Sequence, residues 1–200
     1  FTVRKTLPFD EAMSSLIKGF EAMVPAILIL TLAWTLKSMT DSLGAAEYVS
    51  GVVASSASEL QMLLPGIIFL VAGFLAFATG TSWGTFGILI PICIAVFPAA
   101  DPLRIISISA CMAGAVCGDH ISPISDTTIM ASAGAECKHV HHVSSQLPYA
   151  LTVAGVSFLT FIVAGFTHTW GMATSAIVSW IFGMLMLGLA LFYLNKRQKS

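Results

Sequence analysis

The sequence contains few charged residues for its length. Asp, Glu, Lys and Arg together make up 10% of the 200 residues, whereas hydrophobic residues make up 56%. Soluble domains carry about 25% charged residues, so this composition excludes an ordinary water-soluble domain. The formal net charge of −1 gives no reason to expect nucleic acid as a partner. We therefore expect the lipid bilayer to surround most of the apolar side chains.

Cysteine is also scarce, and its spacing is typical of neither common cysteine site. No two of the four cysteines form a Cys-x-x-Cys pair, and three of them lie in apolar stretches, where a free thiol packs as a small hydrophobe. We expect no disulfide framework, no zinc site and no cofactor. Three histidines follow the last cysteine closely, and we interpret them as part of a polar surface loop, Lys138–Ser145. The cysteines are Cys93, Cys111, Cys117 and Cys137.

Long apolar runs dominate the rest of the chain and predict an all-α integral membrane protein, a polytopic helical bundle. Residues 1–19 have the pattern of an amphipathic cytoplasmic segment. Residues 20–194 form the predicted transmembrane domain, and residues 195–200 form a basic cytoplasmic tail. Residues 38–59 are predicted to be a surface segment. The apolar runs are Phe20–Leu36, Leu60–Ala78, Phe86–Phe97, Leu103–Cys117, Leu147–Phe166 and Met172–Leu194.

Positive charges indicate the orientation of these runs. If the tail is cytoplasmic and residues 60–98 form a re-entrant hairpin that enters from outside, seven Lys and Arg residues lie inside and two, Lys37 and Arg104, lie outside. The alternative is that residues 60–78 cross fully, which reverses the orientation of everything upstream. Either way we expect a multi-pass protein of the inner or plasma membrane.

Two polar interruptions break the apolar runs. The first, Gly80–Thr85, combines glycines that permit tight turns with hydroxyl oxygens. The second, GDHISPISDTT at residues 118–128, contains Pro123, which lacks an N–H donor and disfavours helix at Ser122. Breaks at membrane depth are tolerated only inside protein or beside water. Apolar segments interrupted in this way indicate the binding site of a secondary transporter.

Asp119 and Asp126 are the two acidic residues with apolar sequence on both sides. An aspartate at the centre of a spanning helix costs about 2.5–3.5 kcal/mol, so these carboxylates need a cation, a proton or nearby donors. We expect the first half-helix to end near residues 115–117, where free carbonyl groups favour a cation beside Asp119.

Several of these residues also have purely structural interpretations. Asp126 fits the N-cap of a second half-helix that starts near Thr127, and capping does not exclude a role in the site. Asp119 fits a salt bridge to a basic residue elsewhere in a larger protein. His120 fits a hydrogen bond between helices, and Trp83 fits packing or anchoring at the membrane interface.

The two motifs GTSWGTFGILIPI (residues 80–92) and GDHISPISDTTIMAS (residues 118–132), with PAILILTLAW at residues 25–34, resemble the NhaC-type sodium/proton antiporter family of the ion-transporter superfamily. The resemblance implies two inverted repeats with re-entrant hairpins and broken helices. It implies exchange of Na⁺ for H⁺, with organic acids or amino acids as substrates of some relatives. The ion site carried over comprises Thr81, Ser82, Trp83, Asp119, His120, Ser122, Ser125, Asp126 and Thr127, with Asp119 as the Na⁺ ligand.

The length of the chain limits what the resemblance implies. The sequence starts at Phe1 without an initiator methionine or a signal-peptide pattern, and we expect it to be the C-terminal repeat of a longer protein. An N-terminal transporter half or a second copy is then the expected partner.

Three functions fit the sequence: Na⁺/H⁺ antiport, ion-coupled transport of an organic acid or amino acid, and an inactive fragment. No arginine lies deep in an apolar run to bind a carboxylate with two hydrogen bonds, which favours the cation. The sequence has no pattern of a nucleophile paired with a base, so we do not expect an enzyme.

Overall fold

A computed structural model describes residues 8–43 and 58–198, and these residues are almost entirely helical. They contain seven α-helices, one short 3₁₀ helix and no strand, which confirms the predicted all-α fold. The α-helices are α1 (Phe9–Ser42), α2 (Ser58–Thr79), α3 (Ser82–Val96), α4 (Pro102–Ile121), α5 (Asp126–Gly134), α6 (His139–Thr167) and α7 (Met172–Gln198); the 3₁₀ helix is His168–Trp170.

Four helical segments in the described part of the chain are long and apolar enough to cross a membrane: Gln61–Thr79, Pro102–Ile121, His139–Trp170 and Met172–Lys196. The shortest has 19 residues, or about 28 Å at 1.5 Å per residue, close to the thickness of the hydrocarbon layer. The protein is therefore a multi-pass membrane protein, as the composition predicts.

Helices α2 and α4 run in the same direction and touch through their backbones. A Cβ atom added to Gly114 would collide with the carbonyl oxygen of Phe69, and one added to Gly118 would collide with that of Gly73. The two glycines of α4 are four residues apart, the small-xxx-small spacing that lets membrane helices approach closely. This contact fixes α4 against α2 along most of its length.

Helix α6 runs antiparallel to α2 on another side. Gly165 near its end meets the carbonyl oxygen of Met62 near the start of α2, and a Cβ added to Gly66 would meet the side chain of Ile162. The rings of Phe69 and Phe161 lie 5.6 Å apart. Because α2 holds both α4 and α6, α6 is brought alongside the end of α4.

Helix α3 folds back along α2. A buried apolar cluster joins the two helices to α4 and consists of Ala72, Ala76, Cys93, Cys111 and Ala115. The two arms thus form a hairpin whose turn is Gly80–Thr81. The re-entrant placement of this hairpin stays a prediction, because α2 is also long enough to cross fully.

The predicted polar loop was wrong, because polarity alone does not end a helix, whereas the predicted domain boundaries near residues 19 and 195 stay predictions. Helix α1 continues through residues 19 and 20, where a surface helix was expected to meet a span. Helix α6 begins at His139, so most of the predicted polar loop Lys138–Ser145 is helical. Helix α7 continues to Gln198 through most of the basic tail. Residues 1–7, 44–57 and 199–200, which carry parts of the predicted amphipathic segment, surface segment and tail, lie outside the described residues.

The end of the first half-helix was also misplaced. Helix α4 ends at Ile121 instead of near residues 115–117. Gly118 lies inside the helix, where it permits the close contact with α2. The helix ends where Pro123 disfavours the helical conformation of Ser122, and α4 alone therefore has the length of a membrane span.

The contact between α2 and α4 can be tested with a single methyl group. In Gly118→Ala, the added methyl collides with the backbone of Gly73, and overpacking of this kind typically costs about 1–3 kcal/mol. We expect a clear fall in the melting temperature of the purified protein. Gly155→Ala is the matched control, because a Cβ there has no neighbour within 4 Å. Equal melting temperatures for the two variants would contradict the close approach of α2 and α4.

Candidate functional site

The two interruptions of the sequence meet in space. Gly80, at the turn between α2 and α3, has φ of +68°, and a Cβ atom there would lie 2.8 Å from the carbonyl oxygen of Ile124. The hydroxyl group of Ser122 donates a hydrogen bond of 2.8 Å to the carbonyl oxygen of Phe77. The hairpin turn and the linker between α4 and α5 therefore form one site.

On the hairpin side, the side chain of Thr81 caps helix α3. Its Oγ1 accepts a hydrogen bond from the backbone N–H of Gly84 at 3.4 Å, which satisfies one of the free donors at a helix start. Thr85 is 1% exposed, and its hydroxyl donates to the carbonyl oxygen of Thr81. Ser82 is half-buried. Trp83 is 67% exposed and meets Phe86 edge to face.

Residues 122–125 form the break that the sequence predicts, and local hydrogen bonds hold it. The N–H of Ser122 donates to the carbonyl oxygen of Asp119 at 3.1 Å, and the N–H of Ser125 donates to that of Ser122 at 3.3 Å. The Ser122 hydroxyl oxygen also accepts from the N–H of Ile124 at 3.4 Å. Both serines are fully buried, whereas Pro123 and Ile124 between them are exposed, so the polar side chains of the break face the protein.

Asp119 is the unpaired group of this site. It lies in the last turn of α4 and is 4% exposed, and its Oδ1 atom is buried without a hydrogen-bond partner. The end of a helix carries a partial negative charge, which disfavours a second negative charge nearby. Burial of an ionised carboxylate without compensation costs several kcal/mol. The position therefore favours a bound cation or a proton.

Asp126 lies in a different environment from Asp119. It is exposed and is the first residue of α5, and its Oδ1 accepts from the N–H of Thr127 at 2.8 Å. The N-cap position is held by Ser125, whose carbonyl oxygen accepts the N–H of Ile129, so the assignment of Asp126 as N-cap was wrong by one residue. Its carboxylate still meets the positive end of the helix dipole.

His120 and Thr127 are exposed as well. The Nδ1 atom of His120 lies 2.8 Å from the carbonyl oxygen of Val116, so the imidazole bonds within its own helix, and the predicted bond between helices was wrong. Thr127 pairs its hydroxyl with that of Ser125 at 2.7 Å. Of the predicted site residues, Asp119, Ser122 and Ser125 are thus buried together around the break, whereas Trp83, His120, Asp126 and Thr127 lie at the surface.

Sequence reasoning missed four polar residues that lie around the break. Thr128 is buried, and its hydroxyl donates to the carbonyl oxygen of His120 at 3.3 Å. Ser132, one turn later, is also buried. Ser125, Thr128 and Ser132 are spaced by three and four residues, and this helical spacing of hydroxyl groups is the signal that marks the buried face of α5. From α6, Gln146 contacts the carbonyl oxygen of His120 and His139 contacts that of Pro123. No local pattern in the sequence identifies these two residues.

The donor atoms around the break are mainly oxygens. In the described part of the chain, no three His, Cys, Asp or Glu side chains lie close enough together to hold a metal ion. A cation at Asp119 would therefore be held by one carboxylate with hydroxyl or carbonyl oxygens. Such ligands suit hard cations better than zinc or copper.

The link between the hairpin turn and the break can be tested at Ser122. In Ser122→Ala, the carbonyl oxygen of Phe77 and the N–H of Ile124 both lose a partner, and a buried group left unpaired costs about 1–3 kcal/mol. We expect a lower melting temperature. Ser144→Ala is the control, because that exposed hydroxyl bonds only within its own helix. A Ser122→Ala protein as stable as this control would show that the bond between the hairpin and the break contributes nothing.

Comparison with known proteins places the chain among membrane transporters. Residues 1–166 match the family described as the Na⁺/H⁺ antiporter family. An uncharacterised protein of Haemophilus influenzae is 46% identical over 170 residues, which are 84% of this chain and 32% of that protein. The malate-2H⁺/Na⁺-lactate antiporter of Bacillus subtilis is 27% identical over 175 residues, 83% of this chain and 35% of that protein.

A third relative, an uncharacterised Na⁺/H⁺ antiporter of Haemophilus influenzae, is 32% identical over 113 residues, 54% of this chain and 24% of that protein. The chain thus spans about a third of the length of the first two relatives. No solved structure matches the chain.

Proposed function

Because the chain belongs to the Na⁺/H⁺ antiporter family, we propose that it forms the C-terminal part of a secondary transporter that exchanges Na⁺ for H⁺ across the inner or plasma membrane. The observation that carries the proposal is the buried carboxylate of Asp119, whose Oδ1 has no partner. Both transported ions, Na⁺ and H⁺, would neutralise this group, and no further cofactor is needed.

A single carboxylate couples the two ions by competition. Asp119 with a bound Na⁺ and Asp119 with a bound proton are both neutral, whereas the empty ionised form carries the cost of a buried charge. The loaded forms would therefore change between inward- and outward-facing states more readily than the empty form. One ion then moves in each direction without a leak of either.

The proposed Na⁺ ligands come from both sides of the site. Ser122 donates its hydroxyl proton to Phe77 and accepts from Ile124, so its oxygen presents one further lone pair. Ser125 is buried beside it, and the backbone carbonyl oxygens of the linker and of the last turn of α4 are further candidates. Thr81 and Ser82 would add oxygens from the hairpin turn, which touches the linker at Ile124.

The exposed site residues are proposed to meet the rest of the transporter. The chain spans only 32% and 35% of its first two relatives, and we propose that the rest of the transporter lies outside it. Trp83, His120, Asp126 and Thr127 are exposed next to the buried part of the site. We propose that an N-terminal half, or a second copy of this chain, covers them and completes the ion pathway.

The central test is Asp119→Asn in the full-length protein. The amide keeps the shape but binds neither a proton nor Na⁺ as a carboxylate does, so we expect the loss of Na⁺-dependent ΔpH collapse in everted vesicles. Glu136→Gln, the same chemical change at an exposed residue of the loop after α5, is expected to retain exchange. Full Na⁺-dependent exchange by a normally inserted Asp119→Asn protein would refute the role of Asp119.

A second candidate is ion-coupled exchange of organic acids, which the relation to the malate-2H⁺/Na⁺-lactate antiporter favours. The start of α5 presents backbone N–H groups and the hydroxyls of Ser125 and Thr127, and helix N-termini favour carboxylates. Na⁺-dependent ΔpH changes measured with and without malate, lactate and amino acids would separate the two. We expect the response to require Na⁺ alone; a response that requires an organic acid would support the second candidate instead.

A further inference from the structure

Helix α6 donates hydrogen bonds to the backbone within the break and just before it. The Nε2 atom of His139 lies 2.7 Å from the carbonyl oxygen of Pro123. The Nε2 atom of Gln146 donates to the carbonyl oxygen of His120 at 3.2 Å. The two residues are seven positions apart, which is two helical turns, so they lie on one face of α6.

These two carbonyl groups belong to the residues that directly follow Asp119 and Ser122 in the chain. The carbonyl group of His120 accepts hydrogen bonds from Gln146 and from Thr128. The carbonyl group of Pro123 accepts one from His139. The three N–H groups of the linker bond locally and Pro123 has none, so the bonds from His139, Gln146 and Thr128 hold carbonyl groups that the local bonds leave free.

The geometry also determines which nitrogen of His139 carries a proton. A carbonyl oxygen only accepts, so Nε2 must be the donor to Pro123. The Nδ1 atom lies 3.0 Å from the hydroxyl of Ser132, which also contacts the carbonyl oxygen of Ile129 at 2.8 Å. Ser132 can donate to Nδ1 of a neutral ring or accept from a protonated one, and the bond to Pro123 persists in both cases.

We propose that His139 and Gln146 are positioning residues of the ion site. They hold the carbonyl groups of Pro123 and His120, and with them the chain beside Ser122 and Asp119, at the geometry that binds the cation. This inference rests on the proposed function, because the cation is the one assigned to Asp119. Neither side chain touches the carboxylate in this role. Each acts through a backbone carbonyl group, so its loss should weaken ion binding more than it slows turnover.

Two substitutions at His139 separate its two contacts. The amide nitrogen of glutamine approximates the position of Nε2 and that of asparagine approximates Nδ1. His139→Gln therefore keeps a donor for Pro123, whereas His139→Asn keeps only the contact with Ser132. In everted vesicles from the full-length protein, we expect His139→Asn to raise the KM for Na⁺ by about three- to tenfold, the effect of one hydrogen bond, with kcat little changed. His139→Gln should remain close to the unmodified protein.

Gln146 supplies an independent test of the same role, and an adjacent histidine supplies a control. Gln146→Leu should raise the KM for Na⁺ to a similar extent, because it removes the donor to His120. His141→Asn, an exposed histidine in the same helical turn as His139, should change neither constant. Unchanged KM values in both His139→Asn and Gln146→Leu, or an equal rise in His139→Gln and His139→Asn, would overturn the proposal.

A spectroscopic measurement separates this inference from the proposed function. In ¹⁵N-histidine-labelled protein, the His139 resonances, identified by their absence in His139→Gln, should show a proton on Nε2. The ring of His120, which contacts the carbonyl oxygen of Val116 through Nδ1, should show a proton on Nδ1. A His139 ring without a proton on Nε2 would overturn the positioning role of His139, whatever the transport result. A proton on Nε2 of His139 in a protein without Na⁺-dependent exchange would overturn the proposed function. The hydrogen bond from His139 to Pro123 would then still stand.

Discussion

A break in a membrane helix exists only where other groups satisfy the backbone that the helix no longer pairs, because an unsatisfied polar group in hydrocarbon costs several kcal/mol. The break between α4 and α5 meets this condition from three directions. Ser122 donates to the hairpin arm α2, Thr128 donates back to the end of α4, and His139 and Gln146 donate from α6. Most polar side chains of the motif therefore bond to backbone groups, and the Oδ1 atom of Asp119 is left unpaired.

Close helix packing brings these donors to the break. Gly114 and Gly118 let α4 lie against the backbone of α2, and Gly165 does the same for α6 at the other end of α2. With the three helices in contact, the hairpin turn at Gly80 meets the linker at Ile124. A methyl group at any of these close contacts would separate groups that must be within hydrogen-bonding distance. The glycines thus determine the geometry of the site without taking part in its chemistry.

Within the motif at residues 118–128, Asp119 is the exception to the rule of satisfied polar groups. Its Oδ1 is buried and unpaired, while the neighbouring serines and Asp126 all have partners. A difference of this kind within one short stretch is typical of a functional residue, since a structural carboxylate would have been paired. The role proposed for His139 and Gln146 follows from the unpaired carboxylate. A carboxylate binds a cation with defined geometry only if the backbone beside it is held in place, and these two side chains bond to that backbone.

The sequence alone determined the apolar environment, the helical class and the presence of a break near Pro123, because the apolar runs are long, charge is rare, and Pro123 and Gly80 act on their own backbone. It also made Asp119 the candidate ion ligand, since a carboxylate between apolar runs is costly wherever the helices lie. The partner of each polar group was decided only by tertiary structure. Gln146 and His139 reach the break, and Trp83 and Asp126 stay exposed, because of how α2, α4 and α6 pack. Hydrogen bonds between residues 16 to 45 positions apart leave no local pattern in a sequence.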